Sequence, residues 1–318
     1  MITFGPVPSR RLGRSLGINN IPPKICSYSC VYCQVGRTLN LQHRRQAFRR
    51  VEDIVRHVER RIEGAQAHGE RLDYLAFVPD GEPSLDLNLG REIDLLRPLG
   101  IRIAVISNAS LLWRSSVRAA LSKADWVSLK IDAISEGLWH RINRPHGSLS
   151  LPTILKGIEE FSNSFSGELA TETMLTKGLN DSPDELERIA DFTAGLKPSK
   201  SYLSVPTRPP AERWVRPAGE HALNMAHQLL SERDISAEYL IGYEGNAFAF
   251  TEDVEQDLLS ITSVHPMREE AVNELLNRAN ADWSLVSGLV HDGKLVEVTY
   301  AGNRFYTRKL LPTRKAAR

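Results

Sequence analysis

Apolar residues in the first two thirds of the chain follow two spacings. Tyr74–Val78, Ile101–Ile106, Trp126–Ile131, Leu169–Leu175 and Tyr202–Val205 are short, nearly continuous apolar runs. Runs of that length read as buried strands rather than helices. Residues 14–20 read as one more strand, ended by Pro22 and Pro23. Val51, Ile54, Val58 and Ile62 recur at helical spacing within 48–66, and helical patterns sit near 86–98, 111–122, 149–163 and 181–195. The last opens on Asp181-Ser-Pro-Asp-Glu185, with Pro183 close to the first helical position. Strands that alternate with helices predict a parallel sheet. Six such units fit an α/β fold of the open (β/α)6 partial-barrel type; a doubly wound sheet is the alternative. In both, ligands gather at the C-terminal ends of the strands.

The pattern changes near Glu252. Helical patterns at 253–261 and 267–279 are followed by Asp282–Asp292, and then by two β-runs, Lys294–Tyr300 and Arg304–Arg308. A Gly302-Asn303 turn between them predicts a hairpin. Three helices and a hairpin predict a C-terminal winged-helix-like domain over 251–318, after a barrel domain over 1–250. Such a unit serves as a docking module that can be removed without touching chemistry in the barrel.

Composition narrows the class. An apolar fraction of 42% with 25% charged residues excludes a disordered chain. A net charge of +1 means that any contact with nucleic acid must come from a local patch. Arg304, Arg308, Lys309, Arg314, Lys315 and Arg318 form one such patch, and the arginines from Arg37 to Arg61 another. Both patches also fit a solvated surface. No apolar run reaches the length of a membrane span, and Met1–Arg11 lacks a secretory pattern. The expectation is a cytoplasmic protein with no membrane partner.

All three cysteines, Cys26, Cys30 and Cys33, lie within eight residues, spaced Cys-x3-Cys-x2-Cys. An odd, clustered set is a poor disulfide framework and a good set of soft metal ligands. Thiolates suit iron–sulfur clusters or zinc. Zinc needs a fourth ligand, and the nearest histidine, His43, lies outside the loop. A four-iron cubane held by three cysteines keeps one iron open.

Cys26, Cys30 and Cys33, with Tyr32 before the last, resemble the signature of the radical S-adenosylmethionine (SAM) superfamily. The resemblance implies a [4Fe-4S] cluster whose open iron takes the amino and carboxylate groups of SAM. Asp80-Gly81-Glu82-Pro83 resembles the family's Gly-Gly-Glu-Pro motif, which binds the SAM amino group; here Asp80 replaces the first glycine. Carbonyls and a carboxylate suit an ammonium, and Gly81 allows close backbone approach. An ordinary Asp-Gly turn is the competing reading. By resemblance, Ser107 and Asn108 contact the ribose or carboxylate of SAM. Lys130 and Asp132, ending the fourth strand, are candidate catalytic residues, or an internal ion pair. Glu172, Thr173, Ser204 and Arg208 lie on or after the last two strands and are candidates to face SAM. Neighbours in a strand point to opposite sides, so at most one of Glu172 and Thr173 faces inward.

Pro6–Ile18, Asn143-Arg-Pro145 and Lys177-Gly-Leu-Asn-Asp181 extend the likeness over roughly residues 4–240, to the wyosine synthetase-related group. Members acting on tRNA build a tricyclic base from N1-methylguanosine and pyruvate, and carry a second cluster on three further cysteines. This chain has no further cysteine, and no flavodoxin-like domain precedes the barrel. The resemblance therefore implies an external flavodoxin- or ferredoxin-like electron donor. It implies reductive cleavage of SAM to methionine and a 5′-deoxyadenosyl radical that abstracts hydrogen from an RNA base, a peptide or a small molecule. A radical SAM methyltransferase and an iron–sulfur redox sensor with a DNA-binding winged helix are the rival readings.

Overall fold

A computed structural model describes residues 2–67, 69–241, 248 and 253–309. The chain opens with an antiparallel pair, β1 (Thr3–Ser9) and β2 (Gly13–Ile18). Two-residue segments β3 (Ile25–Cys26) and β4 (Asn40–Leu41) pair with each other and bracket the cysteine loop. Then α1 (Val51–Ala67), β5 (Tyr74–Phe77), α2 (Leu89–Leu96), β6 (Arg102–Ser107), α3 (Ser115–Leu121) and β7 (Trp126–Lys130) alternate. After α4 (Glu136–Asn143) and α5 (Leu151–Ser164) come β8 (Glu168–Met174), α6 (Pro183–Leu196), β9 (Lys200–Ser204), α7 (Glu220–Ser231) and β10 (Ala237–Leu240).

One eight-stranded sheet runs in the order β1-β2-β5-β6-β7-β8-β9-β10. All neighbours from β2 to β10 are parallel. The sheet is curled into a half barrel. Its outer face carries Leu16, Leu75, Phe77, Val105, Val127 and Leu129, packed on the helices. Its inner face carries Leu12, Tyr74, Ala76, Ala104, Trp126, Ala170, Tyr202 and Leu240. This is the period-two division that a sheet covered on both faces requires. Arg10, in the first turn, reaches the Tyr239 carbonyl of β10 at 3.5 Å, so the far edge curls back towards the start of the chain.

The six strands expected from sequence all form. β1 and β10 are additions to them. Thr3–Ser9 holds Gly5, Pro6 and Pro8, a composition that argues against a strand. It forms because β1 is an edge strand with an irregular register between Phe4 and Val7.

Past the barrel lie α8 (Val254–Ile261), β11 (Met267–Arg268), α9 (Glu269–Arg278), α10 (Ser284–His291), β12 (Leu295–Tyr300) and β13 (Asn303–Arg308). Their antiparallel sheet has the order β11-β13-β12. The hairpin turn is Ala301-Gly302, both at positive φ (47° and 77°), and Asn303 already belongs to the strand. The expected boundary at 250 falls outside the described residues.

This unit is no loose appendage. Phe4 and Val7 of β1 sit in one core with Leu258, Ile261, Met267, Leu275 and Tyr306. Arg61 of α1 pairs with Asp257 at 2.9 Å, and Ser260 donates to the Thr3 carbonyl at 3.2 Å. The expected docking module shares its core with β1, so its removal would uncover Phe4 and Val7.

A buried acidic pair lies behind the end of β5. Asp86 and Glu92 are fully buried beside Asn20, Arg45 and Arg49. Burial, and next the Asp86 charge, push the Glu92 carboxyl from 4.5 to about 8. Between those values the folded chain holds a proton that the unfolded chain has released, so stability falls as pH rises through the window. The melting temperature should decline from pH about 4.5 to pH about 8, and Glu92→Gln should flatten that slope. Equal slopes in thermal melts of the two proteins would overturn the assignment.

Candidate functional site

The C-terminal rim of the half barrel surrounds a cavity of about 270 Å3. Cys26, Cys30 and Cys33 all line it, with half-buried free thiols. Asn108 donates to Cys26 Sγ at 3.5 Å and Asn143 to Cys30 Sγ at 3.4 Å. Burial raises all three thiols. At Cys26 and Cys30 neighbouring charge adds to the effect, and Cys30 is pushed up to about 12. Such a nest favours thiolate only when cationic iron stands among the sulfurs. Among the described residues no group of three His, Cys, Asp or Glu is drawn together round one metal ion. Three thiols spaced round a cavity suit a cluster, whose irons take one thiolate each.

The cysteine loop is laced to the segment after β5. Lys24 N–H donates to the Asp80 carbonyl (2.8 Å) and Glu82 N–H to the Ile25 carbonyl (3.2 Å). Gly81, at φ 153°, passes so close that a Cβ there would stand 1.9 Å from the Ile25 oxygen. The Glu82 carboxylate is 1% exposed and accepts from Ser84 N–H (3.0 Å), Ser107 Oγ (2.8 Å) and Asn108 N–H (2.7 Å). It braces the end of β6 against the end of β5. Burial raises it, against those hydrogen bonds. Pro83 starts a short 3-10 turn behind the rim and does not line the cavity. Asp80, where the resemblance has glycine, lies 3.4 Å from Lys24, and burial pushes it up to about 6 against the lysine's pull.

Across the cavity sits a charged cluster. Glu172 meets Lys130 Nζ at 2.5 Å, Ser204 Oγ at 3.1 Å and the Arg11 guanidinium. Burial alone would raise this carboxyl; Arg11, and then Lys130, outweigh burial and hold it at about 2. Lys130 also stands 5.6 Å from the centre of the Tyr32 ring.

An internal Lys130–Asp132 ion pair is not formed. Asp132 lies behind the rim, 3% exposed, accepting from Tyr32, Asn143 (2.8 Å) and Met174 N–H (2.9 Å). Lys130 ends β7, and its nearest carboxylate is on the next strand, where Lys130 and Glu172 are in register. Glu172 faces the cavity; Thr173 points away and donates to the Ile131 carbonyl at 2.8 Å. Arg208 also lines the cavity, held by Gln34 (2.7 Å) and His265 (2.8 Å).

The sequence profile of the radical SAM superfamily matches residues 20–193, more than half of the chain. The chain belongs to the radical SAM superfamily. It is 46% identical to the UPF0026 protein MJ1312 of Methanocaldococcus jannaschii, over 97% of this chain and 96% of that one. Two solved structures share the fold. SuiB of Streptococcus suis bound to its precursor peptide SuiA has a TM-score of 0.55 at 14% identity, covering 85% of this chain and 65% of that one. A radical SAM methyltransferase of Sphaerobacter thermophilus has a TM-score of 0.52 at 17% identity, covering 71% and 66%.

Superfamily membership implies the [4Fe-4S] cluster and SAM. The donor set fits both: three thiols lining one cavity, together with Asp80–Glu82 and, at the next strand end, Ser107 and Asn108. Arg11 and Lys24 are lining residues that the sequence reading passed over. Arg11 lies inside the Pro6–Ile18 stretch, whose density of Pro, Gly and Arg was the available signal.

Gly81→Ala should displace the cysteine loop, because the clashing atom is a backbone carbonyl. Iron and sulfide bound after anaerobic reconstitution, and the melting temperature, should both fall. Gly137→Ala, on an exposed helix position with open space around it, should lower neither. Normal iron loading in Gly81→Ala would refute the close crossing.

Proposed function

We propose that this chain cleaves SAM reductively and directs the resulting radical at a substrate held in the barrel mouth. The observation that carries the reading is one cavity ringed by Cys26, Cys30, Cys33 and the strand-end residues Gly81, Asn108, Lys130 and Glu172. Bound there, a [4Fe-4S] cluster and SAM supply an electron and a 5′-deoxyadenosyl radical able to abstract hydrogen.

The protein's own contribution is placement. Cys26, Cys30 and Cys33 would hold a cluster and leave one of its irons open to SAM. The main-chain groups beside Gly81 would receive the SAM ammonium, and the Glu82 carboxylate, which also lines the cavity, fixes that segment against the end of β6. The Arg11 and Lys130 cations, balanced by Glu172, present a positive surface for a carboxylate of SAM or substrate. The apolar lining, from Val35, Val78, Ile106, Met174 and Val264, keeps water from a reactive centre.

An external flavodoxin- or ferredoxin-like donor completes this reading, since every cysteine is in the first loop. The grouping with wyosine synthetase-related enzymes belongs to the same proposal, supported by Pro6–Ile18, Asn143–Pro145 and Lys177–Asp181. No helix among the described residues is long and apolar enough to cross a membrane, and the proposed setting is the cytoplasm.

Anaerobic reconstitution followed by dithionite and SAM should release 5′-deoxyadenosine and methionine in equal amounts, read by chromatography. Cys30→Ala should give neither. A cluster that assembles without cleaving SAM would favour a redox sensor, and accumulation of S-adenosylhomocysteine a methyltransferase.

A further inference from the structure

The cavity does not end at the rim. It opens into a groove of about 1480 Å3 between the barrel loops and the C-terminal sheet, through the shared residues Lys24, Gln34, Val35, Gly36, Pro206 and Thr207. Its volume exceeds what a small metabolite fills. Val296 to Ala301, all but the first residue of β12 plus the start of the turn, form one wall in unbroken succession.

β12 ends its sheet, with β13 on one side and no strand among the described residues on the other. The turn has two residues, both at positive φ, so Tyr300 and Asn303 are the hydrogen-bonded pair that closes the hairpin. Val298 and Val296 bond β13 in the same phase. Glu297 and Thr299 therefore aim their main-chain N–H and C=O outward, away from β13.

Charge is one-sided. Lys24, Arg37, Arg213, Arg216, Arg268 and Arg308 line the groove, the first two paired with Asp80 and Glu212, against the single lining acid Glu297, which accepts from Tyr306 at 3.0 Å. Arg213 and Arg216 are exposed in the loop between β9 and α7 that also lines the groove, with Arg216 Nη1 donating to the Arg213 and Val215 carbonyls at 2.5 and 2.9 Å. Exposed apolar side chains also line the groove, Leu39 and Ile241 from elsewhere and Val296 from β12. Tyr300 is the one aromatic side chain lining the groove among the described residues, and its hydroxyl is tied to the Pro206 carbonyl at 3.0 Å. A nucleic-acid strand looks for stacking platforms. An extended peptide looks for an open strand edge with alternating pockets.

We infer that the groove docks an acidic peptide segment in extended conformation, added as a strand along β12 and running towards the radical cavity. Deepening the proposed radical SAM function, this makes a polypeptide the class of substrate. Outward amides at Glu297 and Thr299 pair with its main chain, Arg213 and Arg216 take its carboxylates, and Val296 packs its apolar side chains.

The test uses the full chain and fluorescence anisotropy. The probes are a fluorescein-labelled peptide alternating Glu with Val, the same peptide N-methylated at alternate amides, a Lys-for-Glu version, and oligouridine. The acidic peptide should bind saturably and more weakly as salt rises, and the Lys version should not bind. N-methylation of the probe should weaken binding about tenfold, and so should the double variant Arg213→Glu/Arg216→Glu. Oligouridine binding more tightly than the acidic peptide, no binding of the acidic peptide, or indifference to N-methylation would each overturn the inference. The double variant should still release 5′-deoxyadenosine like the parent. Failure of the parent to do so would strike at the radical reading, while the anisotropy would still judge the groove.

Discussion

The site hangs on a single crossing, where Gly81 slides past the Ile25 carbonyl without the room for a methyl group. Two main-chain hydrogen bonds beside it, Lys24 to Asp80 and Glu82 to Ile25, hold the cysteine loop on the ends of the strands. The Glu82 carboxylate, wholly inside, fastens the same segment to Ser107 and Asn108. Asn108 then touches Cys26. A chain of short contacts thus fixes sulfur positions with respect to the β-sheet, the most rigid element available. The loop itself gains order from the main core, into which Tyr28 and Val31 are buried.

The second organising interaction is electrostatic. Two cations and one carboxylate share the space between β7, β8 and the first turn. Removing one partner of a buried pair costs about 3–5 kcal/mol, because the other charge is left in a low dielectric. Here the carboxylate is the minority partner, so the cluster keeps a positive surplus facing the cavity. That surplus comes from residues 11 and 130, far apart in sequence and joined only by the curl of the sheet.

Hydrophobic spacing made the fold legible where strands are continuous and central, as at Ile101–Ile106 and Trp126–Ile131. It missed Thr3–Ser9, because prolines are tolerated only on an edge and the sequence does not announce which strand is an edge. Cysteine spacing singled out the three thiols that the fold brings to one cavity. Partners of charged residues were not legible: Lys130 and Asp132 are neighbours along the chain, yet parallel register puts Glu172 beside the lysine and Tyr32 beside the aspartate. The alternation rule did separate Glu172 from Thr173, since a strand's two faces are a local property. Asp80 gave no sign of its lysine partner, because that contact exists only once the loop has crossed the strand end.

Phe4 and Val7 share a core with residues beyond position 257. β1 therefore meets these partners only after the whole intervening barrel has been made. Until then this edge strand stays uncovered on that side, a state prone to wrong pairing with other chains. Gly5, Pro6 and Pro8 make it a poor template for such pairing, because proline offers no N–H to a stranger. The composition that hid the strand from pattern reading is also what guards it while it waits.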